Sequence, residues 1–102
     1  MSGNNIVIFD RQFREDLRWW AKQNRKTLNR ILDLIEAVIA EPTKGIEKPE
    51  RLKYLSGSRY SRRITQEHRL VYQLSNGKLI FLQCRYHYQV QPVANLVKSI
   101  AL

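Results

Sequence analysis

One cysteine, Cys84, and one methionine are all the sulfur in this 102-residue chain. Without a second thiol there is no intrachain disulfide, and nothing in the composition requires an oxidising compartment. Cys84 stands in an apolar run, where a small buried hydrophobe is the default role for a free thiol. Long hydrophobic runs are missing too. None approaches the roughly 18 residues of a membrane span, and the opening MSGNN leads into no secretory apolar region. A cytoplasmic protein without membrane contact is expected. The few glycines form no phosphate-binding loop, the two histidines and lone cysteine give no zinc spacing, and no serine triad is recognisable. No metal or cofactor is expected.

Negative charge is scarce. Nine Asp and Glu face eighteen Lys and Arg, a formal net charge of +9 at pH 7. On a small domain such an excess favours polyanionic partners, and nucleic acid is the first class it selects. A basic surface also serves solubility or meets an acidic protein, so charge alone leaves those readings open. The length allows one domain whose single modest core buries roughly two-thirds of the surface that the unfolded chain exposes.

The first half reads as a strand and two helices. NIVIF, Asn5 to Phe9, is short and β-branched, and Asp10 offers a side-chain oxygen to cap the helix that follows. In that helix Phe13, Leu17 and Trp20 recur at helical spacing. Asn24 can cap a second helix with a stripe of Leu28, Ile31, Leu32, Ile35, Val38 and Ile39, which Pro42 stops. Arg14, Arg18, Lys22, Arg25, Lys26 and Arg30 read as a solvated basic face. Glu41 to Arg59, with two prolines and two glycines, reads as a long connection of the kind that tends to be functional.

The second half changes period from 3.6 to 2. Strands are expected at Ser61–Thr65 and Arg69–Leu74, joined through Gln66, Glu67 and His68. The Asn76-Gly77 hairpin signal then leads into a strand over Lys78–Tyr88. The resulting order is β-α-α-β-β-β, an α+β fold with a twisted antiparallel-type sheet, two helices on one face and the other face open. Residues 1–88 form this domain. Residues 89–102 are an extension in which a short amphipathic helix opened by Pro92, with Val93, Leu96, Val97 and Ile100 on one side, is expected, docking on this domain or on a second copy, with a disordered tail of non-native origin as the alternative.

The polar residues fall on that open face. Alternation along the last strand sends Arg85 and His87 one way and Cys84, Tyr86 and Tyr88 the other. Antiparallel pairing sets Arg69 beside the Arg85–Tyr88 end, and the loop EKPERLK, Glu47 to Lys53, can fold over the sheet edge. A carboxylate, a histidine, a tyrosine and several arginines thus converge. Attack of a ribose 2′-hydroxyl on the adjacent phosphate needs such a set: a base, an acid, and cations for the charge that builds on phosphorus. It needs neither a metal nor a protein nucleophile. Glutamate serves as base, histidine as acid, and arginine binds phosphate oxygens through paired hydrogen bonds.

KPERLK, SGSRYSRRITQEHRLVY and CRYHY resemble the hallmark segments of the YoeB toxins, a branch of the RelE superfamily of bacterial toxin-antitoxin systems. The likeness runs from about Asn5 to Tyr88 without a large gap. It implies a RelE-like fold and a ribosome-dependent endoribonuclease that cuts mRNA in the A site, inhibits translation and is neutralised by a YefM-like antitoxin; homodimerisation is left open. By position in those motifs Glu50 is implied as general base, Arg69 as transition-state cation, His87 as general acid and Tyr88 as an orienting group. Lys53 and Arg63 match supporting basic positions, and with Arg62 and Arg85 they are expected to bind RNA and phosphate. The family pattern ends near the second tyrosine of CRYHY, whereas here QVQPVANLVKSIAL follows.

Plainer roles fit the remaining residues. Of Trp19 and Trp20, one is expected to pack inward and the other to face solvent or a partner. Tyr72 reads as core, and Tyr54 and Tyr60 as covering the core or touching RNA. His68 beside Glu67 reads as a solvated turn pair with no catalytic part. Two other classes stay open: a basic module that binds RNA or antitoxin without cutting, and a toxin aimed at a protein, as ParE relatives poison DNA gyrase. An acid and a base together argue against both.

Overall fold

The computed structural model describes residues 6–52 and 58–86. Lys53, Tyr54, His87, Tyr88 and the extension from residue 89, with its expected helix, lie outside the described residues. Strand β1 (Ile6–Phe9) is followed by helices α1 (Arg11–Gln23) and α2 (Arg25–Ala40), then by strands β2 (Glu50–Arg51), β3 (Ser58–Arg63), β4 (Arg69–Ser75) and β5 (Lys78–Gln83).

Both expected caps hold. The Asp10 carboxylate accepts from the Gln12 amide at 3.1 Å, and the Asn24 side chain from the Thr27 amide at 3.1 Å. Helix α2 stops where Pro42 forces its predecessor out of helical geometry, and Glu41 is extended, with φ −145°. Phe13 and Trp20 of α1 and Ile31, Leu34, Ile35 and Val38 of α2 are buried together. The α2 stripe is therefore narrower than the sequence suggests. Leu32 and Ile39 remain 43% and 46% exposed, because the i, i+3, i+4, i+7 set starting at Ile31 already fills the contact with the sheet.

The sheet runs β1-β5-β4-β3-β2. Asn76 and Gly77 both have positive φ, 50° and 75°, which gives the tight β4–β5 hairpin its twist. Pairing is antiparallel throughout except that β1 lies parallel to β5, Ile6 opposite Lys78 and Phe9 opposite Phe81, so the sheet is mixed. Everything between those two strands acts as the crossover that a parallel pair requires. Strand β2, two residues long, lies inside the segment expected to be a loop; no periodicity can announce so short a strand. Strand β3 ends at Arg63 because the amides of Ile64 and Thr65 donate to the His68 carbonyl, at 2.9 and 3.1 Å, instead of continuing the ladder.

Register separates the two faces. Tyr60, Tyr72 and Phe81 lie side by side on the helix-covered face, Tyr60 stacked on Tyr72 at 5.7 Å and Phe81 packed on Phe13 at 5.3 Å. Glu50, Ser61, Val71 and Gln83 form the matching row on the face away from the helices, where Ser61 and Val71 are buried and Glu50 is exposed. Tyr72 is core, as expected, and burial pushes its phenol pKa up.

Candidate active site

The short strand β2 gives the site its carboxylate. Pairing Glu50 with Ser61, and Ser61 with Val71, puts Glu50 two strands from β4, within reach of the long side chain of Arg69. Arg69 donates from Nη2 to Glu50 Oε1 at 2.7 Å and from Nε to Ser61 Oγ at 3.1 Å. The guanidinium is held on two sides, its side chain only 15% exposed, while the Glu50 side chain is 64% exposed. A pair so open to water adds little to stability. What it does is orient an exposed carboxylate and a largely buried cation together at the sheet edge, beside buried Ser61. Arg63, opposite Arg69 in the register, is exposed beside them.

Strand β5 does not run to Tyr88. It ends at Gln83, and the chain turns at residues 84–86, so the expected strict alternation does not apply over Cys84–Tyr86. Helix α1 causes the break. Cys84 donates its backbone N–H to Asp16 Oδ2 at 3.0 Å, and its carbonyl accepts from Trp20 Nε1 at 2.8 Å. Two side chains one helical turn apart have taken both polar groups of one residue away from the sheet. The Cys84 thiol is itself fully buried, and burial pushes its pKa far up, so it is no nucleophile.

The next two residues are held as firmly. The Arg85 guanidinium sits 3.7 Å from the centre of the Trp19 ring and 4.6 Å from that of Tyr86, and its Nε is buried without a hydrogen-bond partner among the described residues. This is cation–π packing of a half-buried arginine. Tyr86 has φ 65°, a left-handed conformation that costs a non-glycine residue about 1–2 kcal/mol. Its amide donates to His68 Nδ1 at 2.7 Å and its carbonyl accepts from the Arg69 amide at 3.0 Å.

Asp16 is buried, 4% exposed, and accepts a second bond from Gln12 Nε2 at 2.9 Å. Burial is the largest influence and raises its pKa, opposed by the Cys84 and Gln12 hydrogen bonds and by Arg85. Because the folded value lies above the unfolded one, the folded state binds the extra proton, and this residue's contribution to stability is lost as pH rises through the folded pKa. Asp16→Asn keeps an acceptor for the Cys84 amide and removes the titration. Its stability relative to the parent, from urea unfolding, is expected to be higher at pH 7 than near pH 4; a difference independent of pH would refute this.

Residues 9–88 match the family model for the YoeB-like toxin of bacterial type II toxin-antitoxin systems. The chain belongs to this family. It is 45% identical over 74 residues to Toxin YoeB of Synechocystis, covering 72% of this chain and 86% of that one. The YoeB dimer of Staphylococcus aureus superimposes with a TM-score of 0.72 at 36% identity, over 83% of this chain and 99% of the other. The YoeB-YefM complex from the same organism gives 0.70 at 37%, over 82% and 98%.

Within this YoeB-like frame the expected residues separate. Glu50 and Arg69 are brought into direct contact, with Arg63 beside them. Arg62 is the correction: expected at RNA phosphate, it is fully buried, pointing to the helix side and bonded to Tyr72 Oη and to the carbonyls of Glu41, Lys44 and Ile46. Arg30, expected on a solvated face, pairs with Glu47 and donates to the Ile64 carbonyl. Lys53, His87 and Tyr88 are outside the described residues. The roles of Ser61 and Asp16 escape the sequence reading, which makes His68 only a solvated turn residue. A visible signal existed for Asp16, an acid inside the apolar stripe Phe13, Leu17, Trp20. His68 is no solvated partner of Glu67; its ring stands edge-on to Trp20 at 4.8 Å and lies 5.7 Å from Tyr86.

Proposed function

We propose that this YoeB-like toxin is a metal-independent endoribonuclease that cuts mRNA in the ribosomal A site and thereby inhibits translation. The observation that carries the proposal is the Arg69–Glu50 pair, braced by buried Ser61 with the Glu50 carboxylate exposed, in a protein with formal charge +9. Glu50 takes the proton of the ribose 2′-hydroxyl. The 2′-oxygen attacks the adjacent phosphorus, the bond to the 5′-oxygen breaks, and His87 gives that oxygen a proton. The products are a 2′,3′-cyclic phosphate and a 5′-hydroxyl end. Arg69 meets the charge growing on the phosphoryl oxygens, as preorganised donors do. Tyr88 orients the acid, and Lys53, Arg63 and the outer edge of Arg85 hold neighbouring phosphates.

Neither Glu50 nor His87 is a strong catalyst alone, and their help depends on a substrate held in line. The ribosome supplies that orientation, which is why free RNA is expected to be a poor substrate. The S. aureus YoeB-YefM complex supports a YefM-like antitoxin as the partner that silences the enzyme, and the S. aureus dimer supports a homodimer. Action in the cytoplasm follows from the substrate.

The test is to incubate the full chain with ribosomes programmed with mRNA, with and without chelator, and to map the cut ends. Chelator-resistant cleavage leaving 5′-hydroxyl ends is expected. Intact message with bound protein would replace this reading with a non-catalytic binding module. Intact message without binding would point to a protein target.

A further inference from the structure

We infer that His68 is a positioning residue of this active site: its imidazole Nδ1 holds the left-handed turn at Tyr86, which immediately precedes the acid His87. The inference rests on the nuclease reading above and deepens it. His68 closes the β3–β4 connection, where its carbonyl accepts from the amides of Ile64 and Thr65 and fixes its backbone. Its ring is fixed as well, edge-on to buried Trp20 at 4.8 Å with an interplanar angle of 86°, and 5.7 Å from the Tyr86 ring.

A backbone N–H can only donate, so the 2.7 Å contact with Tyr86 makes Nδ1 the acceptor and puts the proton of the neutral ring on Nε2. Arg69, the next residue, donates its own amide to the Tyr86 carbonyl at 3.0 Å. Consecutive residues therefore grip both backbone polar groups of Tyr86, at a point where φ is 65° and a side chain disfavours the conformation. A non-glycine residue persists there only when its surroundings over-determine it, and such positions cluster at functional sites. Residue 69 sends its side chain to Glu50 while its amide holds Tyr86. The base, the cation and the entry to the acid are thus referenced to one another through residues 68 and 69. Removing the Nδ1 acceptor releases one of these two anchors while leaving every group that touches RNA in the sequence.

Three variants of the full chain separate positioning from packing and from proton transfer. His68→Phe keeps a ring against Trp20 and Tyr86 and has no acceptor. His68→Asn has an oxygen where Nδ1 lies and cannot serve as an acid or base. His68→Ala has neither. Single-turnover cleavage of ribosome-bound mRNA is expected to slow about ten- to a hundredfold in His68→Phe and His68→Ala, with apparent affinity for the ribosome unchanged. His68→Asn should recover to within about threefold of the parent, as rescue by geometry requires. The structural readout is exchange of the Tyr86 amide followed by NMR, which should be slow in the parent and His68→Asn and fast in His68→Phe. Cleavage by His68→Phe at the parent rate, or a Tyr86 amide as protected as the parent's, overturns the inference. A folded His68→Asn as slow as His68→Phe does so too, because it would make the imidazole itself a reactant. If the parent cuts no ribosome-bound mRNA, the nuclease reading fails, and the exchange measurement still decides whether His68 holds the turn.

Discussion

Glu50→Gln is expected to slow cleavage of ribosome-bound mRNA by about 10² to 10⁴ fold, the range general acid–base catalysis supplies. The substitution is chosen for what it leaves in place. The amide oxygen still accepts from Arg69 Nη2, so the 2.7 Å contact and the Ser61 brace behind it survive. Only the capacity to take a proton is gone. Because the Glu50 side chain is 64% exposed, its pairing contributes at most about 1 kcal/mol, and the melting temperature should barely move. A folded Glu50→Gln that cuts at the parent rate would remove Glu50 from the chemistry and leave it as an ornament of Arg69. Combining it with His87→Ala should cost much less than the product of the two single effects, since residues that act as a unit are not additive.

Arg69 should show a different pattern. Arg69→Lys keeps the charge but replaces a planar fork by a single ammonium, which cannot hold Glu50 and Ser61 together in the observed geometry. The base is then mispositioned along with the cation, so the loss should appear in the chemical step more than in ribosome binding.

How much of this is legible in the sequence differs between the helices and the sheet. Helix ends are local events: Asp10, Asn24 and Pro42 act on backbone within a few residues, and each does in the structure what its type predicts. Strand ends are set from elsewhere. Alternation from Lys78 onward gives no hint that β5 stops at Gln83, because the groups that stop it, Asp16 and Trp20, are more than sixty residues away in sequence. The parallel pairing of β1 with β5 is non-local in the same way.

The candidate site divides along the same line. Glu50 and Arg69 are selected together by the motif resemblance, whereas their contact depends on the short strand β2, which no periodicity announces. Arg62 and Arg63 show where chemistry read without geometry goes wrong. Adjacent residues on a strand must face opposite ways, so at most one of the two can look toward RNA on the open face. Their positions already require a division of roles. That it is Arg62 which turns inward depends on register, and the reason it is tolerated there depends on the loop it meets.

Arg62→Met is accordingly expected to be the most destabilising of these substitutions. The side chain is fully buried, and its guanidinium donates at 3.2 Å to Tyr72 Oη, at 3.1 Å to the Ile46 carbonyl, and at 2.6 Å to each of the Glu41 and Lys44 carbonyls. The chain after α2 is wound around it. Gly45, with φ 105°, makes the closest turn, and a Cβ there would lie 3.2 Å from Arg62 Nη1. Tyr72 in turn donates its hydroxyl proton to the Pro42 carbonyl, so the strand and the loop share one network. Methionine fills the volume but strands several carbonyls at once, each costing about 1–3 kcal/mol if water does not reach it. A total near 3 kcal/mol or more would consume much of the 5–15 kcal/mol typical of a whole domain. Arg62→Lys should fall between, since three donors on a compact ammonium cannot span the same acceptors. The expected signature in urea unfolding is a lower midpoint in the order Arg, Lys, Met, with ribosome affinity per folded molecule unchanged. Had Arg62 faced RNA instead, Arg62→Met would leave the midpoint alone and weaken binding, most strongly at low salt.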